Sequence, residues 1–76
     1  MNIYKLTQDE NASYDTFDSA IVCAENIFEA IKINPEGVWR YDSKWANKPS
    51  QVECSYLGEA HSSIPKGLIL GSFNAG

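Results

Sequence analysis

The chain has 76 residues, of which 43% are hydrophobic and 21% are charged. These proportions are typical of a folded globular protein and argue against intrinsic disorder, so residues 1–76 are expected to form a single domain. Ten acidic residues against six basic ones argue against binding to duplex nucleic acid, where neutralising phosphate dominates the affinity.

Alternating apolar and polar residues over 2–8 predict a half-buried strand, with Tyr4 and Leu6 on the buried side. Polar, turn-forming residues over 9–17 predict a loop. Residues 19–24 are all small or β-branched, without alternation. Such a run predicts a central strand that is covered on both faces.

A short helix over 27–33 is expected next. Asn26 is a good N-cap residue, and Glu29 lies three positions later, as in a capping box. The Asn34-Pro35 pair should end the helix, because a residue before proline is biased out of the α region.

The second half of the chain predicts two more strands. Residues 35–50, which hold Trp39, Trp45 and three prolines or glycines, have no clear secondary-structure pattern. The sequence predicts one strand over 51–57 and another over 67–73, separated by a loop over 58–66. In the strand over 51–57, the side chains expected to face the core are Val52, Cys54 and Tyr56. The fold class is therefore α+β, with the order β-β-α-β-β and a mixed or antiparallel four-stranded sheet.

Cys23 and Cys54 lie at apolar strand positions and are expected to be buried, reduced thiols, although a bridge between them is an alternative. His61 is the one histidine and no CxxC pair occurs, so no metal and no cofactor is predicted. The N-terminus lacks a basic flank and an apolar segment, and no apolar run could span a bilayer. These features predict a cytoplasmic protein without a membrane partner.

Two groups of residues could form a ligand-binding site. Tyr14, Asp15 and Asp18 combine carboxylates with an aromatic ring before the central strand, although aspartates also cap turns. Trp39, Arg40, Lys44 and Trp45 belong to a ten-residue run that is rich in aromatic and basic side chains. Aromatic rings stack on bases and Arg or Lys neutralises phosphate, whereas the alternative is a lid whose tryptophans complete the core.

Exposed apolar side chains are expected at interfaces. On a two-turn helix Ile27 and Phe28 cannot both face the sheet, and Phe73 lies close to the chain end. One short helix also cannot cover both faces of a sheet. We therefore expect a homo-oligomer, most simply a dimer.

Several short motifs together resemble a family of very small, uncharacterised proteins encoded by tailed bacteriophages. The motifs are Lys5-Leu6-Thr7-Gln8, Tyr14-Asp15-Thr16-Phe17-Asp18-Ser19-Ala20, Ala24-Glu25-Asn26, Trp45 before Pro49, Leu57-Gly58-Glu59-Ala60 and Ser72-Phe73-Asn74-Ala75-Gly76. In such proteins glutamate is expected where this chain has Ile27 and Phe28. The resemblance implies an accessory protein of the host bacterial cytoplasm that acts against host defence, by analogy of size and origin.

The sequence contains no nucleophile–base pair and no metal cluster, so a non-enzymatic binding protein is predicted. The first hypothesis is sequestration of a small nucleotide-like immune signal by the aromatic and basic run. The second is a protein–protein inhibitor of a host defence complex, similar in role to an anti-CRISPR protein. It rests on residues 1–36, which hold seven acidic and two basic residues. The third is a structural or regulatory phage accessory protein.

Overall fold

In a computed structural model of the protein, the chain forms a four-stranded antiparallel sheet with one short α-helix. The structure describes residues 1–9, 16–37, 39 and 44–74. The elements in chain order are β1 (Asn2–Thr7), β2 (Thr16–Ala24), α1 (Ile27–Ala30), a 3-10 helix (Pro49–Gln51), β3 (Glu53–Glu59) and β4 (Gly67–Asn74).

The strands lie side by side in the order β3-β1-β2-β4, and every neighbouring pair is antiparallel. Along the chain the elements follow the predicted order β-β-α-β-β, with a 3-10 helix added before β3, whereas the strands lie in a different order across the sheet. The reason lies in where β3 begins, which is the end of the sheet where β1 finishes. There Glu53 pairs with Thr7, so β3 adds to β1 rather than to β2.

Paired residues of adjacent strands share a face of the sheet, and one face carries the core. On this inner face Tyr4 pairs with Val22 and Leu6 pairs with Ala20, and all four side chains are buried. Lys5, between Tyr4 and Leu6, is exposed on the opposite, outer face. The predicted alternation of β1 is therefore confirmed.

The second strand occupies a central position, as its continuous apolar run predicts. The strand begins at Thr16, so the last residues of the loop predicted over 9–17 belong to the strand instead. Val22, Cys23 and Ala24 are buried in succession, which requires cover on both faces. On the outer face that cover comes from the β3–β4 connection, where the Cys23 thiol lies 3.9 Å from the carbonyl oxygen of Ile64.

The short helix begins where the sequence predicts and ends earlier. Asn26 is the N-cap, and its side-chain oxygen accepts a 2.9 Å hydrogen bond from the Glu29 backbone amide. After Ala30 the α-helix stops, and Ile33 donates a 3.0 Å hydrogen bond to the Ala30 carbonyl three residues earlier. This hydrogen bond belongs to a tighter, 3-10 type of turn before Asn34. The α-helix is therefore shorter than the predicted range of residues 27–33.

Replacing Asn26 with alanine should lower the free energy of unfolding by about 1 kcal/mol, because the Glu29 amide loses its side-chain acceptor. Urea denaturation followed by circular dichroism would measure the change. Asn26→Ser, which keeps an oxygen acceptor, is the matched control and should retain most of the stability. Equal losses in both variants would contradict the assigned cap.

The third strand departs from its predicted range and burial. It covers Glu53–Glu59 instead of residues 51–57, and Tyr56, predicted to face the core, is 57% exposed. Tyr56 lies on an edge strand, at the border of the buried core. Its ring packs edge-to-face against that of Tyr4, with the ring centres 5.8 Å apart. Val52 is buried as predicted, while Cys54 is half-buried.

No helix among the described residues is long and apolar enough to cross a membrane. His61 is exposed in the β3–β4 connection, where its Nδ1 atom accepts a 3.1 Å hydrogen bond from the Ser63 amide. This contact makes His61 a turn residue, as the sequence predicts.

Candidate functional site

Trp45, predicted to line a ligand pocket, belongs to the core. Its side chain is 0% exposed and packs in the cluster that contains Leu6 and Val22. The same cluster contains four alanines, whose small side chains leave room for an indole ring: Ala20, Ala24, Ala30 and Ala46. A buried indole is not accessible to a base, so the position of Trp45 matches the alternative given above, a tryptophan that completes the core.

The other residues predicted for this site differ in burial and in their contacts. Trp39 is half-buried and packs against the core cluster. Lys44 is exposed and places its Nζ atom 5.6 Å from the centre of the Phe73 ring, a cation–π distance. Asp18 is exposed at a register shift of β2. Three further predicted site residues lie outside the described residues: Tyr14, Asp15 and Arg40.

Phe73 forms an aromatic pair with Phe17, with ring centres 4.9 Å apart and an edge-to-face angle of 66°. Gly71 leaves room for this pair, because a side-chain carbon at that position would lie 3.0 Å from the Phe17 ring. Phe73 is still 40% exposed. It is therefore both packed and accessible, which is compatible with its predicted place in an interface.

The residues Ile27 and Phe28 form an exposed apolar surface, here named the α1 patch. Ile27 is 45% exposed and Phe28 is 71% exposed, so both members of the pair face solvent where the sequence required one. The helical turn beneath them is fixed by the Asn26 cap and by buried Ala30. A 3.2 Å ion pair between Glu29 and Lys66 also joins the turn to the β3–β4 connection.

A second exposed apolar surface follows the edge strand β4. Leu68 and Ile69 are each 45% exposed, and Leu70 is 64% exposed. The sequence predicted this strand but not its edge position, because no local pattern states which strands are neighbours. Charged residues gave no signal of it either, since both β3, which carries Glu53 and Glu59, and β4, which carries none, are edge strands.

The acidic residues of the first half that the structure describes do not gather on one face. Asp9 and Asp18 lie at the end of the sheet where β1 finishes and β2 begins. Glu25 and Glu29 lie at the opposite end, after β2. Antiparallel pairing thus divides the negative charge that the sequence suggested as one acidic binding face.

A shallow cavity of about 120 Å³ lies at the end of the sheet that holds Asp9. Its lining consists of Thr7, Gln8, Asp9, Gln51 and Glu53. Small-molecule sites usually enclose about 300–1,000 Å³. Two carboxylates would also repel phosphate, so this cavity does not suit a nucleotide. Within the described ranges, no group of three or more metal-ligating side chains is close enough to hold a metal ion.

Both cysteines are free, and they lie on opposite faces of the sheet. Cys23 pairs with Ile3 on the outer face, whereas Cys54 pairs with Leu6 on the inner face. The prediction that both are buried holds for Cys23 and is wrong for Cys54, which is half-buried on an edge strand. Desolvation by partial burial raises the pKa of the Cys54 thiol above its ordinary value.

Iodoacetamide should alkylate Cys54 slowly at neutral pH and leave Cys23 unmodified while the protein is folded. The thiolate is the reactive form, and a raised pKa keeps Cys54 mostly protonated. Its rate should therefore keep rising with pH after that of a model peptide thiol has levelled off. Peptide mass spectrometry resolves the two sites, and faster labelling of Cys23 than Cys54 would contradict the burial.

No protein-family model matches the chain, and no curated protein or solved structure matches it either.

Proposed function

We propose that the protein is a non-enzymatic binding module that attaches to a protein target through the α1 patch. The observation that carries the proposal is Phe28, an aromatic side chain that is 71% exposed in a small domain. Aromatic residues are enriched in protein interfaces, and a few of them supply most of the binding energy.

The local structure favours binding because neighbouring contacts order the backbone turn that carries Phe28. The Asn26 cap closes the turn on one side of Phe28, and the Glu29–Lys66 ion pair ties it to a neighbouring connection. A side chain presented on a rigid turn loses less conformational entropy when it binds. The backbone below Phe28 therefore needs no refolding to meet a partner.

The charge around the α1 patch limits the kind of target. Exposed Glu25 precedes the helix and exposed Lys32 follows it, whereas Glu29 is already paired with Lys66. A target with an apolar pocket and a polar rim that offers charges of both signs complements this surface. Together with the resemblance to small phage proteins, this chemistry favours an inhibitor of a host defence complex.

Sequestration of a nucleotide-like signal is now the weaker alternative. Trp39 and Lys44 are accessible enough to contact a nucleotide, but Trp45 is buried in the core. A structural or regulatory accessory role is a further alternative, which also uses exposed apolar surface. Under our proposal, a panel of cyclic and linear nucleotides leaves the melting temperature of the protein unchanged.

A capture experiment with matched variants tests the proposal. Tagged wild-type protein, Phe28→Ala and Leu57→Ala are each incubated with extract of the host bacterium, and captured proteins are quantified by mass spectrometry. Leu57 is the matched control because it is 55% exposed and lies on β3, outside the α1 patch. We expect one protein to be retained by wild type and Leu57→Ala and to fall about tenfold or more with Phe28→Ala. Equal capture by all three would overturn the proposal.

A further inference from the structure

We propose that two copies of the chain associate edge to edge through β4, which extends the four-stranded sheet into a continuous eight-stranded sheet. This pairing is separate from the target-binding surface at α1. The β4 strand of one copy binds, in antiparallel orientation, to the β4 strand of the other.

The first observation is the position of β4. It is an eight-residue strand that pairs with β2 along one edge and, within the described part of the chain, with no strand along the other. An edge strand offers a row of backbone amides and carbonyls to another strand. A strand of this length offers enough of them for a second copy to continue the sheet.

The second observation is the absence of charged residues and proline along this strand, which has a register shift against β2 at Ile69. Natural edge strands usually carry charged side chains or proline, which discourage pairing between molecules. The sequence of β4, Gly67–Asn74, contains neither, although charged residues make up 21% of the whole chain. Its apolar side chains are instead exposed, most of all Leu70 at 64%.

The third observation explains why β4 is chosen over the other edge. A symmetric antiparallel pair of β3 strands centred on Tyr56 would place Glu53 of each copy opposite Glu59 of the other. Both side chains are exposed, and like charges directly opposite each other destabilise strand pairing. Two β4 strands meet without any charged pair, whatever their register.

A two-fold axis perpendicular to the sheet relates two antiparallel edge strands, so the assembly closes as a dimer. The same operation places both outer faces on one side. Two copies of the half-buried Ile21 and of Leu70 then lie on one shared surface. The dimer thereby gains apolar contacts across the new strand pair as well as backbone hydrogen bonds.

Light scattering on the purified protein at high micromolar concentration tests this dimer. We expect the wild type to have twice the mass of the monomer, while Leu70→Lys and Ser72→Lys give the monomer mass with unchanged circular dichroism. Both positions are exposed, so the folded monomer should accept lysine there. Leu57→Lys is the matched control, since Leu57 lies on the other edge strand and is 55% exposed, and this variant should remain a dimer.

Hydrogen exchange adds a readout that identifies the edge. Protection of β4 amides should increase with protein concentration in the wild type and not in Ser72→Lys, while β3 amides show no concentration dependence. A monomeric wild type would overturn the proposal. Loss of the dimer in Leu57→Lys together with its retention in Leu70→Lys would overturn it too, because the interface would then lie at β3.

Discussion

Replacing Trp45 with alanine is expected to lower the free energy of unfolding by about 3–5 kcal/mol, the largest effect predicted for any single substitution here. Trp45 is 0% exposed and is the largest fully buried side chain among the described residues. Its removal deletes the indole contacts and leaves a cavity that the surrounding alanines are too small to fill. A small domain has about 5–15 kcal/mol of stability in total, so much of the variant should be unfolded at 37 °C.

Urea denaturation of the two single-tryptophan variants separates a core role from a ligand-binding role. Trp39 is half-buried, so Trp39→Ala should lose clearly less stability than Trp45→Ala. A ligand-stacking role for Trp45 predicts a folded, fully stable variant that has lost affinity for a nucleotide. Unchanged stability of Trp45→Ala would therefore contradict the core assignment.

Leu6→Ala should cost about 2–5 kcal/mol, because Leu6 is 0% exposed in one of the two central strands. The matched control is Leu57→Ala, which removes the same atoms from a side chain that is 55% exposed. Surface substitutions usually change stability by no more than about 0.5 kcal/mol. Urea midpoints for the two variants give the comparison, and similar losses would contradict the assignment of the inner face.

The parts of the fold that were predictable from the sequence depend on local patterns. The alternation around Tyr4 and Leu6, the unbroken apolar run of the second strand and the Asn26 cap each follow from neighbouring residues. The order across the sheet depends instead on contacts between distant segments. No spacing rule could show that Glu53 would pair with Thr7, and hence that β3 and β4 would be the two edges.

The same limit explains the outcome for the candidate site. Trp39 and Trp45 lie in one stretch of sequence without a clear secondary-structure pattern, and sequence alone could not tell which of them enters the core. Tyr56 has the spacing of a buried strand residue, yet it lies where an edge strand passes beyond the core cover. The exposed Ile27-Phe28 pair was foreseeable in part, since a short helix has one buried side.

Site-specific photo-crosslinking tests most directly whether Phe28 contacts a protein target. A photoreactive phenylalanine analogue is placed at position 28, or at the exposed position 5 on the outer face of the sheet, and bacterial cells that produce each variant, of the host that our proposal assumes, are irradiated. Our account predicts a crosslinked product at position 28 that is absent at position 5, larger than two copies of the chain, and lost when unlabelled wild-type protein competes. Identical products at both positions, or none larger than the dimer at position 28, would contradict it.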